Sequence, residues 1–131
     1  MNDGLQLIGR WLMAVIFIVA GFGKLMAPAA TQAMMAKYGL PMPMIAYGVT
    51  VAVELGGGLL LFVGLWTRPV AIVLAIWCVA TAMVAHTNFG DPGQRAHFMK
   101  NIAMAGGFLY VYVLGAGMHS LDRLRAKRAG G

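Results

Sequence analysis

The chain has 131 residues and a net charge of +6, with 60% of its residues hydrophobic and only 11% charged. Soluble domains carry roughly a quarter charged residues, so a mean hydropathy of +0.77 excludes an ordinary soluble fold and points to a membrane. The basic residues are dispersed between apolar stretches and gathered at the C-terminus, which fits membrane orientation and anionic lipid better than nucleic acid.

About 20 apolar residues cross the hydrocarbon core, and four segments reach that length: residues 5–26, 44–66, 69–86 and 98–118. The first ends near Ala27-Pro28-Ala29, which loosely resembles a signal-peptide cleavage site. Its apolar stretch is longer than a usual h-region and Lys24 follows it, so it is read as a retained span. Between the first two spans, APAATQAMMAKYGLPMP predicts a short interfacial helix with Met34, Met35 and Tyr38 on its buried side, ended by Gly39, Pro41 and Pro43. A WTRP turn makes a hairpin of the second and third spans, and TNFGDPGQRAH reads as an exposed loop before the fourth. The predicted fold is an all-α four-helix transmembrane bundle, one domain over residues 1–131, with a basic tail at 119–131. Arg10, Arg68, Arg123, Arg125, Lys127 and Arg128 fall on one side, and Lys24, Lys37, Arg95 and Lys100 on the other. The positive-inside rule then predicts a multi-pass protein with both termini cytoplasmic.

Glu54 is the only charge between Lys37 and Arg68. A carboxylate at that depth costs several kcal/mol without a partner or water, and is read first as functional. Helical spacing puts Tyr47, Thr50, Gly57 and Gly58 near its face, while Gly48, Ala52 and Gly56 form a separate small-residue stripe for close contact within the chain or across a homodimer. Side chains lean towards their own helix N-terminus, so Lys24 leans inwards and Glu54, on an antiparallel helix, leans outwards to meet it. His86, Lys100 and Asn101 enter from the same outer side, with Lys100 leaning to the surface. The expected ligand-binding or proton-relay cluster is therefore Lys24, Glu54, His86, Lys100 and Asn101, with Tyr47, Thr50 and His97 as secondary lining. The plainer alternative is a Glu54–lysine pair that only fixes helix register, with Lys24 and Lys100 snorkelling to the interface.

His86 and His97 flank one loop but lack a third ligand, so no metal is assigned. The single cysteine, Cys78, lies in an apolar run and excludes an intramolecular disulfide or CxxC pair. Trp77, Tyr110 and Tyr112 read as packing or interface aromatics, and Trp66 as an interfacial anchor. Arg10 and Arg68 read as partners of lipid phosphates.

Several stretches resemble the DoxX family of small four-helix membrane proteins. They are GRWLMAVIFIVAGFGKL, then AVELGGGLLLFVGLWTRPVAIVLAIWCVATAMVAH, and last KNIAMAGGFLYVYVLGAGMHSLD. The resemblance covers nearly the whole chain, and its matching polar positions are Arg10, Lys24, Glu54, Arg68, His86, Lys100, Asn101 and Asp122. It implies a prokaryotic plasma (inner) membrane and a membrane-associated redox or thiol-linked setting, although most members have no established activity. The larger members carry extra segments that this chain lacks. The function expected is an accessory subunit of a redox system, presenting a pocket to a quinone or similar small ligand, with soluble or membrane oxidoreductases as partners. A membrane scaffold is the alternative, and a small-molecule or proton-coupled transporter a third. A free-standing enzyme is disfavoured, since the sequence holds no nucleophile–base set or nucleotide motif.

Overall fold

The computed structural model describes residues 2–130; Met1 and Gly131, the two ends of the expected domain, lie outside the described residues. The described residues form six helices and no strand: α1 (Asp3–Leu25), α2 (Pro28–Lys37), α3 (Pro43–Val63), α4 (Thr67–Ala85), α5 (Pro92–Leu114) and α6 (Leu121–Gly130). The long helices α1, α3, α4 and α5 pack in chain order, each on the next, and α5 returns to α1. Short connections turn α4 back on α3 and α5 back on α4, and α1 sets Gly21 against Leu55 and Ile18 against Gly58, so neighbours run antiparallel and the ring has two distinct ends.

Local chemistry sets the boundaries. At both Gly39 (φ 77°) and Gly64 (φ 72°) the chain turns left-handed. Leu40 and Leu65 then donate back to Met35 and Leu60, a closure that favours glycine because it has no Cβ. This ends the second span at Val63, short of the expected Trp66. α5 begins six residues before the expected 98, because Asp91 accepts from the Gly93 amide and Pro92 fills the first helical position. Half of the expected TNFGDPGQRAH loop is therefore helix. The same helix stops at Gly115 (φ 77°) rather than running to Met118.

α1, α3 and α4 are each long and apolar enough to cross a membrane. α5 is as long as α1, but Gln94, Arg95, His97, Lys100 and Asn101 crowd its first turns and lower its hydropathy. The core is slim: Ala14, Phe17, Leu61, Ala71, Leu74, Ala75, Cys78, Ala105 and Phe108, with the Phe17 and Phe108 rings 5.5 Å apart. Large apolar side chains such as Leu12, Val19, Ile76 and Val113 face outwards with over 60% of their surface exposed. An apolar exterior of this extent is what a lipid-facing surface requires and what a soluble monomer avoids.

The close approach between α1 and α3 is not made by the expected Gly48–Ala52–Gly56 stripe, since Gly48 and Gly56 have no neighbour within 4 Å of a Cβ position. It is made by Gly21, where a Cβ would sit 2.5 Å from the Leu55 nitrogen, and by Gly58 against Ile18. One turn of α3, Ala52–Gly56, is π-helical. A π turn holds an extra residue, so a stripe extrapolated at α-helical period across it lands on the wrong face.

Candidate functional site

That π turn carries Glu54, and π turns inside α-helices recur at functional sites. Glu54 is only 7% exposed, yet both of its oxygens are engaged. Lys24 Nζ donates to Oε2 at 2.7 Å, and Trp77 Nε1 donates to Oε1 at 3.3 Å. The ammonium approaches from the last turn of α1, the carboxylate from the middle of α3 and the indole from α4. A buried carboxylate needs both a counter-charge and hydrogen bonds, and here α1 and α4 supply them to α3.

These groups border a cavity of 540 Å³ at the end of the bundle where α2 lies. Its walls come from α1, α2, α3, α4 and α5 and are mostly apolar, with Phe17, Met35, Val49 and Met104 among them. α2 buries Thr31 and Met35, while Met34 and Tyr38 stay 37% and 36% exposed and still border the cavity. Lys24, Glu54, His86, Lys100, Asn101 and Thr50 all line it. The structure thus brings together the five residues of the expected cluster, although they lie on four different helices or their ends.

Two of the three secondary residues lie elsewhere. Tyr47 Oη donates to the Leu25 carbonyl at 3.0 Å and ties the start of α3 to the end of α1, outside the lining. His97 also lies off the lining; its ring stacks on His86 with centroids 5.1 Å apart. Thr50 lines the cavity but its hydroxyl donates back to Ala46 O within α3 at 2.7 Å. At the rim, His86 Nδ1 lies 2.9 Å from Gln94 Oε1 and Lys100 Nζ lies 3.4 Å from His97 Nδ1. Asn101, 7% exposed, donates to Thr81 Oγ1 at 3.2 Å, and Thr81 in turn donates to the Trp77 carbonyl. Among the described residues no three His, Cys, Asp or Glu side chains converge.

Trp77 and Thr81 join the candidate site without having been singled out for it by the sequence. Their only signal is spacing: they lie four residues apart, on one face of a stretch that is otherwise apolar from residue 69 to residue 85.

The opposite end of the bundle is closed by polar contacts. Arg10 does not reach lipid phosphate: it is 4% exposed, and its guanidinium donates to the carbonyls of Ala116, His119 (2.8 Å) and Phe62 (3.2 Å). Arg68 likewise donates to Tyr112 O at 3.1 Å and Val113 O at 3.4 Å, in the last turn of α5. Helix C-termini leave carbonyls unpaired, and those of Phe62, Tyr112 and Val113 are met here by these two arginines. Trp66 stays 54% exposed, with the Arg125 guanidinium 5.9 Å from its ring centroid. Asp122 accepts from the amides of Trp66 (2.8 Å) and Thr67 (2.9 Å), capping α4 from a distant part of the chain. Burial alone would raise the Asp122 carboxyl, but those amides and Arg125 outweigh it and hold it below the ordinary carboxylate value.

A lipid-facing helical bundle, sealed at one end and hollowed at the other around a buried ion pair, defines an integral membrane protein with a largely apolar pocket that holds a few polar groups. The DoxX family profile matches residues 5–87. Inner membrane protein YqjF of Escherichia coli (strain K12) is 38% identical over 122 residues, covering 93% of this chain and 92% of the relative. Inner membrane protein YphA of the same organism is 36% identical over 124 residues, covering 91% and 89%. The chain belongs to the DoxX family. No solved structure matched it.

Proposed function

We propose that this DoxX-family chain is a four-span protein of a prokaryotic inner membrane whose cavity binds a quinone-like small amphipath, as an accessory subunit of a membrane redox system. In this reading α5 is the fourth span, α2 lies in the outer interface and both termini are cytoplasmic. The inner-membrane names of the two relatives support the location. The basic RLRAKR stretch on α6 supports the orientation.

The observation that carries the ligand reading is the Lys24–Glu54–Trp77 arrangement bordering a largely apolar 540 Å³ cavity. Small-molecule sites combine apolar walls with a few fixed polar groups, in cavities of about 300–1,000 Å³. A ligand ring would lie against Phe17 and Met104, with Lys24, Lys100 and Asn101 offering donors to its oxygens. Glu54, already held by two donors, is the group that would take or return a proton, and His86 stands at the mouth. The redox setting comes from the family.

The test is quenching of Trp77 fluorescence by a short-chain benzoquinone in purified protein whose Trp11 and Trp66 are replaced by Phe. Saturable quenching, weakened at least severalfold by Glu54→Gln, is expected. Absence of saturable quenching refutes the reading. Externally added impermeant thiol reagent should label Asn88→Cys, but not Lys127→Cys, in intact cells carrying Cys78→Ala.

A further inference from the structure

The charges around the cavity do not balance. Its lining contains two ammonium groups, Lys24 and Lys100, and one carboxylate, Glu54. Lys24 and Glu54 are matched to each other at 2.7 Å, and the second Glu54 oxygen is held by Trp77. Lys100 has no such match: among the described residues no carboxylate lies within ion-pair distance of it, and its Nζ approaches only the His97 ring, at 3.4 Å. Asn101 follows it in sequence and is 7% exposed, with one amide hydrogen directed to Thr81. His86 and His97 border the same side. Thus the groups facing Lys100 from α4 and from its own helix are neutral or basic.

Lys100 is exposed at the cavity mouth and keeps its water there, whereas the interior walls are mostly apolar. A neutral head group gains nothing from the ammonium. An anionic one held at the mouth gains a charge-assisted hydrogen bond while its chain fills the apolar space. Resting on the ligand-pocket reading above, we infer that the cavity also admits an anionic amphipath, with a carboxylate or phosphate head at the mouth, a single apolar chain inside, and Lys100 as counter-ion. The chain then lies along the apolar wall formed by Phe17, Val49 and Met104.

The experiment uses the full chain with Trp11→Phe and Trp66→Phe in an uncharged detergent near neutral pH. The probes are 2-bromodecanoate and its methyl ester, which share a tail and a quenching bromine but differ in head charge. The acid should quench Trp77 with an apparent Kd about threefold or more below that of the ester, as expected for an ion pair at an exposed rim. Lys100→Gln should abolish that preference and Lys100→Arg should keep it. Competition then separates the sources: stronger displacement by decanoate marks a free carboxylate, and stronger displacement by decyl phosphate marks a lipid-type phosphate. Equal affinities for acid and ester, or a preference that survives Lys100→Gln, overturn the inference. If the ester and the benzoquinone still bind saturably, the ligand pocket itself stands; if no probe binds, both readings fall.

Discussion

Replacing Lys24 by Met tests whether the Lys24–Glu54 contact is an energetic link between α1 and α3 or an incidental approach. At 2.7 Å and an effective dielectric of about 20, the Coulomb attraction is about 6 kcal/mol before desolvation is subtracted. Burying both groups offsets most of this, so the net worth of the pair is small. Removing one partner is different, because Glu54 remains in place with its desolvation uncompensated, a change that costs about 3–5 kcal/mol in buried pairs. Two features reduce the figure here. The Lys24 side chain keeps 24% of its surface exposed, and Trp77 still donates to Glu54. In addition, a chain unfolded within detergent finds other polar partners, which lowers measured couplings between membrane helices. Lys24→Met should therefore destabilise by about 2–3 kcal/mol, measured by reversible unfolding in mixed micelles. Adding Glu54→Gln removes the stranded charge while leaving an acceptor for Trp77, so the double variant should recover about 1.5 kcal/mol relative to the sum of the singles. Additivity within about 0.5 kcal/mol would refute the reasoning.

Gly21→Ala places a Cβ against Leu55 backbone atoms that cannot move independently, and should cost about 1–3 kcal/mol in the same unfolding assay. Gly48→Ala, whose Cβ meets nothing, should be neutral or stabilise by up to about 1 kcal/mol through helix propensity. Arg10→Met leaves the Ala116 and His119 carbonyls without their Arg10 donor, while Phe62 keeps the Trp11 indole, and should raise amide hydrogen exchange across residues 115–122, while exchange in α2 stays unchanged. Asp122 has a folded-state value below 3.8, so its ionised form contributes stability above that value and loses it as pH falls through the folded value. Asp122→Asn should therefore be less stable than the parent at neutral pH, and the gap should shrink on acidification below 3.8, read by thermal unfolding at each pH.

The cluster was legible in the sequence to the extent that helix direction made it so. Lys24 and Glu54 lean towards each other because side chains tilt towards their helix N-termini and the two helices run oppositely. Asn101 and His86 enter from the same end for the same reason of alternating direction. Tyr47 was misassigned because three-and-four spacing extends a face uniformly, whereas α3 contains a π turn between Ala52 and Gly56. The carbonyl partners of Arg10 and Arg68 are not legible in the sequence, because a basic residue near a span end looks the same whether it meets a phosphate or a carbonyl. Their partners lie on α3, α5 and the stretch after α5, and local pattern carries no information about such distant contacts.

By itself, the sequence determined that the chain belongs in a membrane, where its long helices lie, and that Glu54 needs company. Those properties follow from composition, period and the cost of a charge in hydrocarbon, all of which are local. Only the tertiary structure decided what that company is. It adds Trp77 to Lys24, moves the close helix contact to Gly21 and Gly58, and leaves Lys100 beside the cavity without a carboxylate. These depend on how helices rotate about their axes when they pack, and a π turn or a single glycine crossing sets that rotation.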